Sequence, residues 1–314
     1  MRTWAAGQYL GVLSVLGLTF LLLAATQPHF LTVANFTTIA ETNAVLLIVA
    51  VGLTFVMLVG GIDLSMGGMM ALTSIGLWTF LAAGMPVPLA MAVAVVGACA
   101  LGGLTNGLLI GRAGLSFLVV TIGTASVFRN LANVRAGGQS QTVYEYNQLT
   151  ALGSSELAGL PVIVWIGAAV FFVGFLILRY TGYGRMVYAT GGNQEAARLA
   201  GIPTTGIRVS VYAISGGLAG LAAVLDTSRL TSATPNAGLG IELTAGAAVL
   251  LGGTSFMGGR GSLVGSLLGV MFLGVLANGL TLAGISPFWG GVVSGSVLVI
   301  AIGIDRLRAR NQGG

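Results

Sequence analysis

Lysine is missing altogether from the 314 residues, histidine and cysteine occur once each, and charged side chains make up only 7%. Each shortage removes a class of chemistry. Without lysine there is no G-x-x-x-x-G-K-[ST] loop to reach a nucleotide's phosphates, and the Gly-Gly-Arg-Gly run at 258–261 lacks the strand and lysine that would make it an anion loop. Any ATP hydrolysis therefore belongs to another chain. His29 and Cys99 stand alone, so neither a disulfide framework, a transition-metal centre nor a catalytic triad is expected, and H-E-x-x-H, G-x-S-x-G and paired C-x-x-C patterns are absent. The chain is expected to be no enzyme and to need no cofactor.

So little charge also excludes a water-soluble protein of this length, because soluble domains carry roughly 25% charged residues. Mean hydropathy is +0.97. The solvent around most of the chain must be lipid. Gly is abundant, at 51 residues, yet follows no G-X-Y period and falls within apolar runs, the pattern of helices packed closely in a bilayer. The 13 basic residues are all Arg and lie dispersed between apolar spans. This distribution suits membrane orientation, and no nucleic-acid partner is implied.

Ten segments are apolar enough to span, with some short or broken: 9–25, 43–60, 66–84, 88–110, 115–133, 159–178, 208–227, 240–257, 262–280 and 289–304. The expected fold is thus an all-α polytopic membrane protein with about ten transmembrane helices, forming one domain over 1–314. The first segment, with Arg2 before it, is read as an uncleaved helix rather than a signal peptide. An even count puts both termini on one side. If that side is the cytoplasm, it holds ten arginines, and Arg129, Arg135 and Arg229 fall outside. That asymmetry is the positive-inside bias of a bacterial inner (plasma) membrane protein with both termini cytoplasmic.

Between the spans, 134–158 is polar and turn-rich and falls outside, while 179–206 falls inside. Small residues recur at four-residue spacing at Gly103, Gly107 and Gly111, at Gly216 and Gly220, and at Gly265 and Gly269. Packing within the bundle explains them better than a subunit interface. The runs "LVGGIDLSMGG" (58–68) and "LLGGTSFMGG" (250–259) are weakly alike, each pairing glycines around a short polar stretch, and suggest an internal repeat. Asp226 and Arg229, three apart at the outer end of a span, either pair or face a partner.

The inner stretch "GRMVYATGGNQEAARLAGIP" (184–203) has the grammar of a short exposed helix. Asn193 can cap it, Glu195 sits at the positive end of the dipole within reach of Arg198, and Gly201 and Pro203 end it. Ala196, Leu199 and Ala200 share a face too small to insert in lipid. Such a helix is a natural lever for another protein.

These residues bear a resemblance. "TFVMLVGGIDLSMGGMMAL" (54–72), "GRMVYATGGNQEAARLAGI" (184–202) and "AVLLGGTSFMGGRGSLVGSLLG" (248–269) resemble, in that order, the ribose-type permeases of bacterial ABC importers, part of the class that includes branched-chain amino acid permeases. The resemblance implies a ten-helix permease paired with a second copy or a sister permease, two copies of a cytoplasmic ABC ATPase, and a periplasmic sugar-binding protein. It also implies that 193–201 is the coupling helix seated in the ATPase, with Gly192, Asn193, Glu195, Ala196, Arg198, Leu199 and Gly201 carrying the contact. The implied cargo is a monosaccharide (pentose, hexose or deoxysugar), with branched-chain amino acids and nucleosides left open.

Gly61, Asp63 and Ser65, with Gly252 and Gly253, are read as structural or gating positions. A carboxylate so close to hydrocarbon needs hydrogen bonds, and loop N–H groups and Ser65 are its expected donors. A structural pin is favoured over proton coupling. A path for a neutral sugar needs hydroxyl, amide and aromatic groups, so Asn106, Thr121, Asn130, Glu242, Thr244 and Asn278 are its candidates, packing glue being the competing reading. Where the resembled family commonly reads "ELDA", this chain has Glu242, Leu243, Thr244 and Ala245, which puts an essential acidic pair in doubt. A stand-alone secondary transporter or channel is the alternative reading; it accounts for the hydropathy but gives 184–203 no task.

Overall fold

A computed structural model describes the backbone of residues 2–286 and 288–312, and side chains of 10–286, 288–300, 302 and 303. Helices dominate: α1 (Arg2–Thr26), α2 (Val33–Leu58), α3 (Met66–Ala82), α4 (Val87–Gly102), α5 (Leu108–Gly111), α6 (Phe117–Ala136), α7 (Asn147–Ser154), α8 (Val162–Tyr180), α9 (Gly182–Gly192), α10 (Gln194–Leu199), α11 (Thr204–Leu230), α12 (Ile241–Leu251), α13 (Leu263–Leu282) and α14 (Phe288–Gln312). A π-helical turn, Gly103–Gly107, joins α4 to α5 into one passage over 87–111. Among the described residues strands are limited to two-residue pairs: β1 (Gln141–Thr142) against β4 (Ser232–Ala233), and β2 (Glu156–Leu157) against β3 (Leu160–Pro161), both antiparallel.

Among the described residues six helices are long and apolar enough to cross a membrane: α2, the 87–111 passage, α6, α8, α11 and α13. The expected segments at 9–25, 66–84, 240–257 and 289–304 also hold apolar helices, over Leu10–Thr26, Met66–Ala82, Ile241–Leu251 and Phe288–Ile300, each shorter. The chain is thus an all-α polytopic membrane protein with six clear spans.

Two of the boundaries that differ from the hydropathy reading have a visible cause. α2 begins at Val33, ten residues before 43, because the Thr32 hydroxyl caps the Asn35 N–H at 3.3 Å and Asn35 exchanges amide hydrogen bonds with Asn278 of α13 at 2.7 and 3.2 Å. A polar helical turn is tolerable there because its amides find partners. α12 ends at Leu251 instead of running to 257, since Gly253 takes φ +86° and the chain turns through 252–262 before Ser262 caps α13.

The core is apolar, as in a soluble protein, but so is much of the outer surface. Every residue of α2 from Ala44 to Leu58 is buried, the signature of a central helix with no polar face. The flanking passages show bare apolar side chains instead, among them Leu104, Val119, Ile122, Val127, Phe172 and Val173. In water such a belt would be an aggregation surface; in a bilayer it is the lipid-facing wall.

α11 runs along α4, α2 and α3 and ties the bundle together. The glycine sets identified at four-residue spacing serve these crossings. Gly103, Gly107 and Gly111 lie against Ala213, Val209 and Arg208 of α11, Gly216 against Gly102, and Gly220 against Ala98. Gly265 and Gly269 bring α13 onto the backbone of Ala248 of α12 and of Gly252 just beyond its end. Close backbone approach replaces the hydrophobic effect, which is unavailable between helices in lipid. The polar stretch at 134–158 folds over the bundle end: buried Leu149 of α7 accepts a 2.6 Å hydrogen bond at its carbonyl from Ser228 Oγ of α11.

Candidate functional site

Four places hold most of the polar and glycine residues that the sequence singles out. The first is α10. Asn193 takes an extended conformation and its Oδ1 accepts the Ala196 N–H at 2.9 Å, while Arg198 makes two bonds to the Glu195 carboxylate, Nη2–Oε1 at 2.6 Å and Nε–Oε2 at 3.1 Å. That hydrogen bonding holds the Glu195 carboxyl below, and the Arg198 guanidinium above, their ordinary ranges. Gly201 stops the helix at φ +82°. Ala197 faces inward and is buried; Ala196, Ala200 and Leu199, the last 76% exposed, point away from the bundle. Leu199 is thus a bare aliphatic side chain on a short, well-capped helix.

The second place lies beneath α10, where three glycine pairs distant in sequence meet. Gly191, in the last turn of α9, sits on the Leu58 carbonyl and the Gly259 nitrogen; Gly258 sits on Gly60 and on the Gly191 carbonyl; Gly259 sits on Gly192. The Gly259 N–H donates to the Leu58 carbonyl at 2.9 Å. A Cβ on Gly258 would lie 2.6 Å from the Gly60 nitrogen, so no other residue fits without moving backbone. The two runs noted as alike, 58–68 and 250–259, thus face each other across this junction, and the segment leading to α10 is wedged between them.

The third place is the Asp63 carboxylate, 1% exposed in the break between α2 and α3. Oδ1 accepts from the Ser65 N–H at 3.0 Å and Ser65 Oγ at 2.5 Å, with Asn106 Nδ2 at 3.4 Å; Oδ2 accepts from Ser215 Oγ of α11 at 2.7 Å. Asn106 Nδ2 also donates to Ser65 Oγ at 2.7 Å, and its Oδ1 accepts from Thr124 Oγ1 of α6 at 2.7 Å. The broken backbone, the π turn, α6 and α11 are pinned through one carboxylate. Local spacing points to Ser65; Ser215 and Thr124 have no such signal.

The fourth is a cavity of about 480 Å³ between α2, α11, α12, α13 and α14, with wall residues from α3 and the 238–240 loop. It brings Thr244 and Asn278 together with Thr42, Asn43, Asp226, Arg229, Thr281 and Ser294. Asp226 and Arg229 pair at 2.9 Å, Oδ1 to Nη2, with both side chains mostly buried. The other path candidates lie elsewhere. Asn106 belongs to the Asp63 network, Thr121 is buried and bonded to the Phe117 carbonyl, and Asn130 is exposed and bonded to the Ser126 carbonyl. Glu242 and Arg129 crowd Gly67 at the start of α3, where Arg129 also holds the Pro235 carbonyl at 2.9 Å. Gly252 marks the contact with Gly265, and Gly61 sits against the Tyr212 hydroxyl. Among the described residues no group of three or more His, Cys, Asp or Glu is placed to hold a metal ion.

A polytopic helical bundle with broken helices, a polar cavity and a short exposed helix fits a membrane permease. The chain belongs to the family described as branched-chain amino acid transport system / permease component, whose profile matches residues 35–302. Similar proteins include the ribose import permease protein RbsC of Bacillus subtilis, 39% identical over 303 residues, covering 96% of this chain and 94% of that one. RbsC of Haemophilus influenzae is 37% identical over 282 residues, 89% and 87% of the two chains. The L-arabinose ABC transporter permease protein AraH of Azospirillum brasilense is 32% identical over 302 residues, 96% and 88%.

Proposed function

We propose that this chain is the membrane-spanning permease subunit of a binding-protein-dependent ABC importer, moving a monosaccharide into the cytoplasm with ATP hydrolysed by a partner. The names of its relatives concern ribose and L-arabinose, and the neutral, hydroxyl- and amide-lined cavity suits such a cargo. In this reading 1–314 is one permease domain of ten helices in the bacterial inner membrane, termini cytoplasmic, paired with a second copy or sister permease. A cytoplasmic ABC ATPase and a periplasmic sugar-binding protein complete the importer.

The observation that carries the reading is α10 and its seat. The helix exposes Leu199 and Ala196 outward, while Gly191 and Gly192 behind it are locked by backbone contact to both broken-helix loops. A push on α10 is therefore delivered to the ends of α2 and α12 without an intervening flexible side chain. Gly192, Asn193, Glu195, Ala196, Arg198, Leu199 and Gly201 form the coupling element; Gly61, Asp63, Ser65, Gly252 and Gly253 hold or gate the loops it moves. ATP binding draws the coupling helices together and opens the permease pair outward, and hydrolysis restores the inward-facing state. Thr244 and Asn278 line the path, with Glu242 near its edge; Asn106, Thr121 and Asn130 join it only if the helices rearrange during transport.

Leu199→Asp puts a charge where an apolar contact is expected. Co-purification of the ATPase with the permease should fall at least tenfold, with the permease itself still folded, because Leu199 makes no intramolecular core contact. Glu195→Ala and Arg198→Ala should lower ATP-driven uptake several-fold in proteoliposomes. Undiminished ATPase retention and uptake in all three variants would remove α10 from the coupling role.

A further inference from the structure

The cavity between α2, α11, α12, α13 and α14 carries more than the path candidates that the sequence offers. We propose that it is a solute-binding vestibule within a single permease chain, in which the Asp226–Arg229 pair and Asn43 recognise the hydroxyl groups of a neutral polyol, an inference that rests on the importer reading above.

The chemistry of the wall selects the ligand class. One acid and one base face the cavity, and they are paired at 2.9 Å, so the wall has hydrogen-bonding power without net charge. An isolated ion entering it would meet no uncompensated counter-charge, whereas a sugar hydroxyl can donate to a carboxylate and accept from a guanidinium at once. Thr42, Thr244 and Asn278 add hydroxyl and amide groups around the same space. Leu276 and Val293, both partly exposed, supply an apolar side for the C–H face of a sugar ring. A volume of about 480 Å³ lies within the range of small-molecule sites and accommodates a monosaccharide with water to spare.

Two wall residues keep hydrogen-bonding capacity that the protein does not use. Asn43 Oδ1 and Arg229 Nε are buried and without a partner. Most polar atoms so placed in a folded protein are paired, and an unpaired one marks a strained or functional position. Asn43 sits against Gly274 of α13, where any side chain would collide with its amide, so its position depends on that glycine.

Cysteine protection in the complete importer, reconstituted with its ATPase and binding protein, tests the site. Cys99 is the sole cysteine, so a Cys99→Ser background carries one reporter at a time. Ala277→Cys lies on the cavity wall, and Val134→Cys, on the exposed face of α6, is the control. Saturating imported monosaccharide, chosen by uptake from a panel including D-ribose and L-arabinose, should slow maleimide labelling at Ala277→Cys about fivefold or more and leave Val134→Cys unchanged. Asn43→Leu and Asp226→Asn should each cut uptake about tenfold while ATPase attachment is retained. Equal labelling with and without sugar, in an importer that still moves it, would overturn the vestibule and leave the importer standing. Absence of ATP-driven uptake of any panel member by the wild-type complex would overturn both.

Discussion

Gly191→Ala is expected to reduce ATP-driven uptake at least tenfold while leaving the ATPase bound. The added methyl would run into the Leu58 carbonyl and stand 2.7 Å from the Gly259 nitrogen, the two ends of the 2.9 Å hydrogen bond that closes the junction. Backbone cannot move aside as a flexible side chain can, so the junction must open or shift. Asn193, Glu195 and Arg198 keep their own cap and pair, which are local to α10. The ATPase should consequently still dock on a helix whose motion no longer reaches the loops, and its activity should lose dependence on the sugar-loaded binding protein. Gly123→Ala on α6, where a methyl meets nothing within 4 Å, is the matched control and should transport normally. Full coupling in Gly191→Ala would show that the contact of 191 with 58 and 259 transmits nothing.

Asp63→Leu is expected to be the most destructive single change in the membrane interior. It removes the acceptor shared by Ser65, Ser215 and Asn106, and leaves donors from three separate elements buried with fewer partners. Each orphaned donor costs ~1–3 kcal/mol, and the losses fall together because the groups form one network. Asp63→Asn keeps one carbonyl acceptor, and the Ser215 hydroxyl can rotate to accept from the new amide, so it should retain most of its folded protein. Size-exclusion profiles and thermal aggregation in detergent will show the difference: an early-melting or aggregated Leu variant beside a near-native Asn variant. Similar behaviour of the two would mean that the carboxylate acts through charge, as a proton-coupling role requires, and not through its hydrogen bonds.

What could be read in advance was what depends on near neighbours in sequence. The Asn193 cap, the Glu195–Arg198 pair and the stop at Gly201 all lie within a span of nine residues, and the structure shows them as the spacing suggests. Ser65 as a partner of Asp63 was legible for the same reason. Ser215, 152 residues away, was not, because hydroxyls in apolar helices are too common to single out.

The glycine pairs of the 58–68 and 250–259 runs were visible, yet their meeting around Gly191 and Gly192 was not, since hydropathy carries no information on which loops share a depth in the membrane. The start of α2 was misplaced because Asn35 looks like loop chemistry until Asn278 is seen to answer it across the bundle. The cavity combines both kinds of signal. Thr244 and Asn278 drew attention as polar groups inside spans, whereas Asn43 lies at the predicted edge of one and carries no such signal.

The central claim is that motion at the cytoplasmic surface, driven elsewhere, moves a solute through this chain. Its most direct test is uptake of radiolabelled monosaccharides into proteoliposomes containing the permease alone, the permease with its ATPase, and the full set with the binding protein, each with ATP or ADP. Uptake only in the full set with ATP is the predicted result. Uptake by the permease alone, indifferent to nucleotide, would contradict the account and make the chain a secondary transporter or channel.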